Sequence, residues 1–192
     1  MTYTLPTRVT QSIDGVDLTA IYTKYDQTAA QSSTNAPEYP GLPFTAGTRV
    51  IGTDGSMWIF AGTTTTIAQY QVCMIDTTFA ATGLVGGTGA ATAVLEGLAG
   101  FPAFYQNSTS LTTGQYAWFM ISGRPTCLVA SAGISVALYS LDTAGGLTGA
   151  TNTTSHYQIS GITCVVTASG STVSATLCVA NSVSIRKPLA GA

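Results

Sequence analysis

Asp54-Gly55, set among apolar residues within Ala46–Ile67, constrains the fold of this chain more than any other stretch. Asp-Gly suits a type I′ turn, in which both central residues take positive φ; glycine accepts that freely and aspartate tolerates it. Arg49, Val50, Ile51, Gly52 and Thr53 lead into the turn, and Ser56, Met57, Trp58, Ile59, Phe60 and Ala61 leave it. The stretch reads as a β-hairpin.

Downstream the same character continues. Ile67–Ile75 alternates as a further strand. Between Asp76 and Gly100 lie six glycines. Each costs a helix interior ~1 kcal/mol relative to alanine, so the segment reads as two helical turns at Ala90–Leu98 or as a long loop. Gly114–Val129 is the second well-defined unit. Tyr116, Trp118 and Met120 alternate with Ala117, Phe119 and Ile121, and both sets are apolar. Such a strand is central in a sandwich or barrel, or it faces a subunit contact. Gly123 through Pro125 marks a turn or bulge, Ser135–Leu141 another strand, and Asp142–Thr148 a turn. Ile162, Cys164 and Val166, then Val173, Ala175, Leu177 and Val179, form a C-terminal hairpin joined through Ser169-Gly170. The fold class is all-β, a sandwich or barrel of about eight to ten short antiparallel strands.

Residues 1–46 differ from the rest, holding four of the seven prolines: Pro6, Pro37, Pro40 and Pro43. Gly15–Gln27 has room for one short strand, and Ala36–Phe44 (APEYPGLPF) reads as extended chain. The organisation is therefore an extended proline-containing N-terminal arm over 1–46 and a β-sandwich or barrel domain over 47–192. The arm cannot build a core alone and is expected to be ordered by lying on something else, such as a neighbouring subunit. Pro37, Tyr39, Pro40, Leu42, Pro43 and Phe44 are its candidate contacts with a neighbouring subunit or another partner.

Charge is the unusual bulk property. Charged residues make up 7% of the chain, against about 25% in ordinary soluble domains. With a net charge of −2 and a mean hydropathy of +0.33, a free monomer has little electrostatic repulsion to keep it dispersed. Coverage of its surface by copies of itself or by a partner accounts for this. No basic patch suits a phosphate backbone, so nucleic acid is not an expected partner. No apolar run of ~20 residues suits a spanning helix, and the strands are too irregular for a membrane barrel. MTYTLPTRV has neither the basic start nor the apolar core of a signal peptide.

Catalytic and metal chemistry finds little support. Cys73, Cys127, Cys164 and Cys178 are widely spaced and read as buried thiols, with no zinc pattern. Cys164 and Cys178 lie across the C-terminal hairpin, but if its two apolar sets share a face, Cys178 points away from Cys164. His156 is the only histidine and has no nucleophile motif beside it. Glu38 and Glu96 are the only glutamates, and Asp54, Asp76 and Asp142 occupy turn-like positions. Gly86-Gly87-Thr88-Gly89 lacks the lysine and the strand–loop–helix setting of a phosphate cradle. No enzyme activity and no cofactor or metal is expected. Trp58, Phe60, Tyr116, Trp118 and Phe119 fit core or subunit packing better than a sugar-binding surface.

Three motifs in order carry a resemblance: GTRVIGTDGSMWIFA (Gly47–Ala61), TTIAQYQVCMID (Thr65–Asp76) and GQYAWFMISGRPTCLVA (Gly114–Ala130). The chain resembles small head proteins of tailed bacteriophages, with their G-T-x-V-x-G-x-D-G-S-x-W start and later G-x-Y-x-W-x-x-x-x-G, here Gly114, Tyr116, Trp118 and Gly123. Leu138-Tyr139 through Gly146-Leu147 and Ile159–Ile162 extend the likeness, while Gly83–Ser110 departs from it. The resemblance implies a capsid decoration, or cement, protein. Such a protein binds the outside of the head shell as a homo-oligomer, usually a trimer, with the major capsid protein as partner. Its location is the virion exterior after assembly in the host cytoplasm, where thiols stay reduced. A carbohydrate- or receptor-binding module of a fibre or adhesin, and a lattice or collar subunit, are the alternative readings.

Overall fold

The computed structural model describes residues 16–23, 42–84, 97–102, 110–131, 140–141, 147–148, 158–165 and 174–186, and among them every regular element is a β-strand. In chain order these begin β1 (Tyr22–Thr23), β2 (Arg49–Ile51), β3 (Met57–Thr63), β4 (Ile67–Ala68) and β5 (Cys73–Ile75). There follow β6 (Ala80–Gly83), β7 (Gly97–Pro102), β8 (Ser110–Leu111), β9 (Gln115–Ser122) and β10 (Thr126–Ser131). The last are β11 (Ser140–Leu141), β12 (Leu147–Thr148), β13 (Gln158–Cys164) and β14 (Ser174–Arg186). The expected all-β architecture is what the chain adopts.

Its centre is a closed five-stranded barrel in the order β9-β3-β6-β5-β7, with β7 returning to pair with β9. The β3–β6 pairing is parallel and the other four are antiparallel. Strand alternation then assigns every second residue to the interior. Ile59 and Ala61 of β3, Cys73 and Ile75 of β5, Ala81 of β6, and Ala117, Phe119 and Ile121 of β9 form one buried cluster. Ile67 and Leu111, opposite each other in the small β4–β8 sheet, belong to the same cluster.

The outward residues of these strands are also buried. Trp58, Phe60, Met74, Ala99, Phe101, Trp118 and Met120 join Cys127, Val129, Leu147, Ile159, Ile162, Cys164, Cys178 and Ala180 in a second cluster. This outer core lies between the barrel wall and a layer built from β10, β12, β13 and β14. The strand β14 joins the two, pairing with β7 through Ser184↔Leu98 and with β10 through Leu177↔Thr126. The apolar character of both faces of β9 is therefore explained within one chain: one face lines the barrel and the other faces the outer core.

Several local expectations are corrected. The Asp54-Gly55 hairpin is real, but its loop has three residues, Thr53, Asp54 and Gly55, because Gly52 N–H donates to Ser56 O at 2.8 Å and Gly52 O accepts the Gly55 N–H at 3.0 Å. Only Gly55 has positive φ (79°), as in a type I turn closed by a glycine bulge rather than a type I′ turn. The Asp54 carboxylate accepts the Ser56 N–H at 2.9 Å and so favours this geometry. Ile67–Ile75 is not one strand. It breaks at Tyr70 (φ 64°), where the buried Gln71 carboxamide donates to Leu84 O at 2.7 Å and accepts from Ala68 N–H at 2.9 Å. Within Asp76–Gly100, the described residues form β6 and the start of β7; residues 85–96 lie outside the described set. Leu147–Thr148, assigned to a turn by the sequence, pairs with β11 instead. Finally, Cys164 and Cys178 are direct partners in the β13–β14 ladder, and both side chains enter the outer core. The assumption that the two apolar sets share a face fails because Ile162 and Cys164 stand opposite Ala180 and Cys178, the other alternating set of β14, and the outer core takes these four.

A barrel this narrow needs small residues on part of its wall. A Cβ at Gly100 would lie 2.7 Å from Ile75 Cδ1, 3.1 Å from Cys73 Sγ and 3.1 Å from Phe119 Cβ. Gly100→Ala is expected to destabilise the fold by ~1–3 kcal/mol through overpacking, and Gly100→Val by more. Urea unfolding monitored by tryptophan fluorescence measures both.

Candidate functional site

The N-terminal region meets the barrel on an aromatic cluster. β1 pairs with β9 through Tyr22↔Tyr116 and Thr23↔Gln115. Asp17 shapes the approach: its Oδ1 accepts the Thr19 N–H at 2.8 Å and the Thr19 hydroxyl at 2.6 Å. Leu18 is buried in the outer core. Burial, and then the charge of Asp17, push the Tyr22 phenol above its ordinary value.

Phe44 reaches the same place from the other side. Its ring lies edge-on to Tyr22 (centroids 6.1 Å), Phe60 (5.5 Å) and Trp118 (5.1 Å). Tyr116 stacks on Phe60 at 5.8 Å, and Tyr22 meets Phe60 edge-on at 5.5 Å. Each such pair adds ~0.5–1.5 kcal/mol beyond the area it buries. Tyr22 and Phe44 thus anchor both flanks of residues 24–41 to one cluster on the barrel.

Of the six candidate contact residues, Leu42 and Phe44 are half-buried against the chain's own core and Pro43 is exposed. Pro37, Tyr39 and Pro40 lie outside the described residues. Leu18 and Tyr22 belong to the short strand read in Gly15–Gln27, of which the described part is β1 (Tyr22–Thr23); the aromatic cluster they dock on lies far away in sequence and is not announced by that stretch.

The two tryptophans are interior. Trp58 is 3% exposed and donates its indole N–H to Ser56 Oγ at 2.7 Å; Trp118 is 0% exposed and its Nε1 finds no acceptor. Neither presents a ring for stacking a sugar. The described aspartates shape turns. Asp76 Oδ1 accepts the Thr78 N–H (2.8 Å), the Thr78 hydroxyl (2.7 Å) and the Ala80 N–H (3.0 Å). His156, Glu38, Glu96, Asp142 and the glycines at 86–89 lie outside the described residues. Among the described residues no three His, Cys, Asp or Glu side chains are placed to hold a metal ion. What this region offers chemically is an apolar aromatic anchor rimmed by hydroxyls.

Comparison with family models, with curated proteins and with solved structures returns no match for this chain.

Ser56→Ala leaves the buried Trp58 N–H without its acceptor and is expected to cost ~1–3 kcal/mol, read in the same urea titration. Asp76 supplies a pH dependence. Desolvation is the largest single influence and raises its pKa, but the hydrogen bonds from Ala80 N–H and from the Thr78 hydroxyl and N–H together outweigh it and hold the pKa below 3.8. A depressed folded-state pKa adds stability above the unfolded value, and that stability is lost as the pH falls through the folded value. Asp76→Asn should therefore lower Tm at neutral pH and show a flatter decline than the wild type below pH ~4.

Proposed function

We propose that this chain is a phage capsid decoration protein that binds the outside of the head shell as a homo-oligomer, a trimer by family resemblance, and stabilises it. The observation that carries the reading is the two-sided anchoring of residues 24–41 on the aromatic cluster. A proline-containing segment held at both ends suits a contact element, because ordering it on a neighbour costs less entropy than ordering a free tail. The phage-like motifs support the same reading. Gly47, Gly52, Gly55 and Trp58 belong to the β2–β3 hairpin and its approach, and Gly114, Tyr116, Trp118 and Gly123 to β9 and its ends. The pattern is thus part of the framework of the barrel. Cement proteins resist internal pressure through many shared contacts, and a barrel with buried residues on both faces is a rigid base for them.

Removing all of 1–46 would strip Leu18, Tyr22 and Phe44 from the outer core, so that deletion damages the fold as well as the contact. Substituting Pro37, Tyr39 and Pro40 together with serine keeps the anchors. The wild type is expected to scatter light as a trimer of 19.6 kDa chains and to pellet with expanded capsids of the phage that carries it. The triple variant is expected to keep the wild-type Tm and stay in the supernatant. A wild type that remains monomeric and does not pellet overturns the proposal.

A further inference from the structure

The register of the last two strands creates a site that the decoration reading does not use. Cys164 of β13 lies directly opposite Cys178 of β14. Cys178 N–H donates to Pro125 O, and Ala180 exchanges both backbone bonds with Gly123, all at 2.9 Å. The N–H and C=O of one strand residue point to the same side, so these groups of β14 face away from β13. Cys164 and Cys178 are accordingly a non-hydrogen-bonded pair, the class in which Cα atoms sit ~4.5 Å apart and the side chains are closest. That separation falls inside the ~4.4–6.8 Å that a disulfide spans without backbone movement. Both side chains are buried on the same face, as thiols, beside a third thiol, Cys127, which lies diagonally across on β10.

We propose that Cys164 and Cys178 are a redox modification site, a cross-strand pair that a low-molecular-weight disulfide converts into an intramolecular disulfide. The Cys178 thiol loses its proton to solvent, and its sulfur attacks one sulfur of glutathione disulfide. A Cys178–glutathione bond forms, and the other half leaves as glutathione thiolate. Cys164, deprotonated in turn, attacks the Cys178 sulfur and expels the second glutathione. Two protein thiols are oxidised by two electrons, and one glutathione disulfide is reduced to two thiols.

The surroundings favour Cys178 as the attacking group. The Cys127 thiol donates to its sulfur and, despite burial, holds Cys178 below the ordinary 9.0, with a second hydrogen bond from Cys164. Cys127 itself is pushed well above 9.0 by burial. Access comes from position: Cys164 is the last residue of β13, and because ladder ends open locally at far lower cost than a barrel, lifting that end off β14 uncovers its direct partner Cys178. Cys73 is the internal contrast. It is fully buried inside the barrel, its thiol donates to Gly100 O at 3.2 Å, and burial pushes its pKa up.

The test uses the full-length chain, incubated natively with oxidised glutathione and digested without reduction. The expected product is one linkage, Cys164–Cys178, formed also by Cys127→Ser and by Cys73→Ser, and abolished by Cys178→Ser. The bridge should raise Tm by about 5 °C, reversed by dithiothreitol. Persistence of four thiols in the native protein while a urea-unfolded sample oxidises overturns the proposal. So does arrest at a glutathione adduct, or a wild-type bridge that uses Cys73 or Cys127.

Discussion

The structure depends on one strand having no solvent face. In β9, Ala117, Phe119 and Ile121 fill the barrel while Trp118 and Met120 enter the outer core. Its neighbour β3 does the same with Ile59 and Ala61 on one side and Trp58 and Phe60 on the other. The Phe60↔Trp118 and Ile59↔Phe119 pairs place large residues opposite each other on opposite faces of the same two strands. A one-residue slip would exchange the two sets, driving Trp118 into a barrel whose interior is sized by Ala61, Ala81, Ala117 and the missing side chain of Gly100. Register is thus fixed by volume on the inside and by aromatic packing on the outside.

The same constraint explains why the flanking segments fold back. A closed barrel would otherwise leave Phe60, Trp118 and Met120 in water, since closure satisfies the backbone but only one face of each strand. The hydrophobic effect at ~25 cal/mol per Å² makes covering such rings worth more than the ordering entropy of a few residues. Leu18, Tyr22 and Phe44 cover one part, and β10, β13 and β14 cover another. These are additions from both ends of the chain, so the outer core closes only when residues far apart in sequence meet. Trp118 Nε1, buried without an acceptor, is a cost of that aromatic packing.

Much of this was legible beforehand. The Asp54-Gly55 hairpin, the β9–β10 unit broken at Gly123–Pro125, the C-terminal hairpin and the Asx-turn roles of Asp54 and Asp76 all follow from local chemistry. What escaped has a common cause. The turn type, the break at Tyr70 and the cysteine register each depend on contacts distant in sequence or on a bulge. Gln71 breaks its strand because it can reach Leu84 O, and nothing in IAQYQVCMI announces that partner. The Cys164↔Cys178 pairing follows from the outer core, which takes Ile162 and Cys164 together with Ala180 and Cys178, and the alternation of Val173–Val179 does not announce which face of β14 that core uses. Of the candidate contact residues, the sequence singled out the stretch but could not tell that Phe44 anchors it while Pro43 faces solvent.

The sparse charge also has a source inside the chain. Ordinary antiparallel sheets carry their lysines and glutamates on the face that alternation turns to water. Here β3, β5 and β9 have no such face, so the positions that would hold charge hold Trp, Phe, Met and Ala. Where the described surface is exposed it is largely hydroxylic: Thr64, Thr65, Thr66, Thr77, Thr78, Thr112 and Thr113. Several of these bond within the protein, as Thr64 does with Thr82 at 2.8 Å and Thr65 with the Gly83 N–H at 2.8 Å. A low charge count is therefore partly a consequence of the two-core architecture, and it does not by itself require that copies of the chain cover one another. The oligomeric proposal therefore rests less on composition than on Tyr22 and Phe44, which bring the two flanks of residues 24–41 to one cluster.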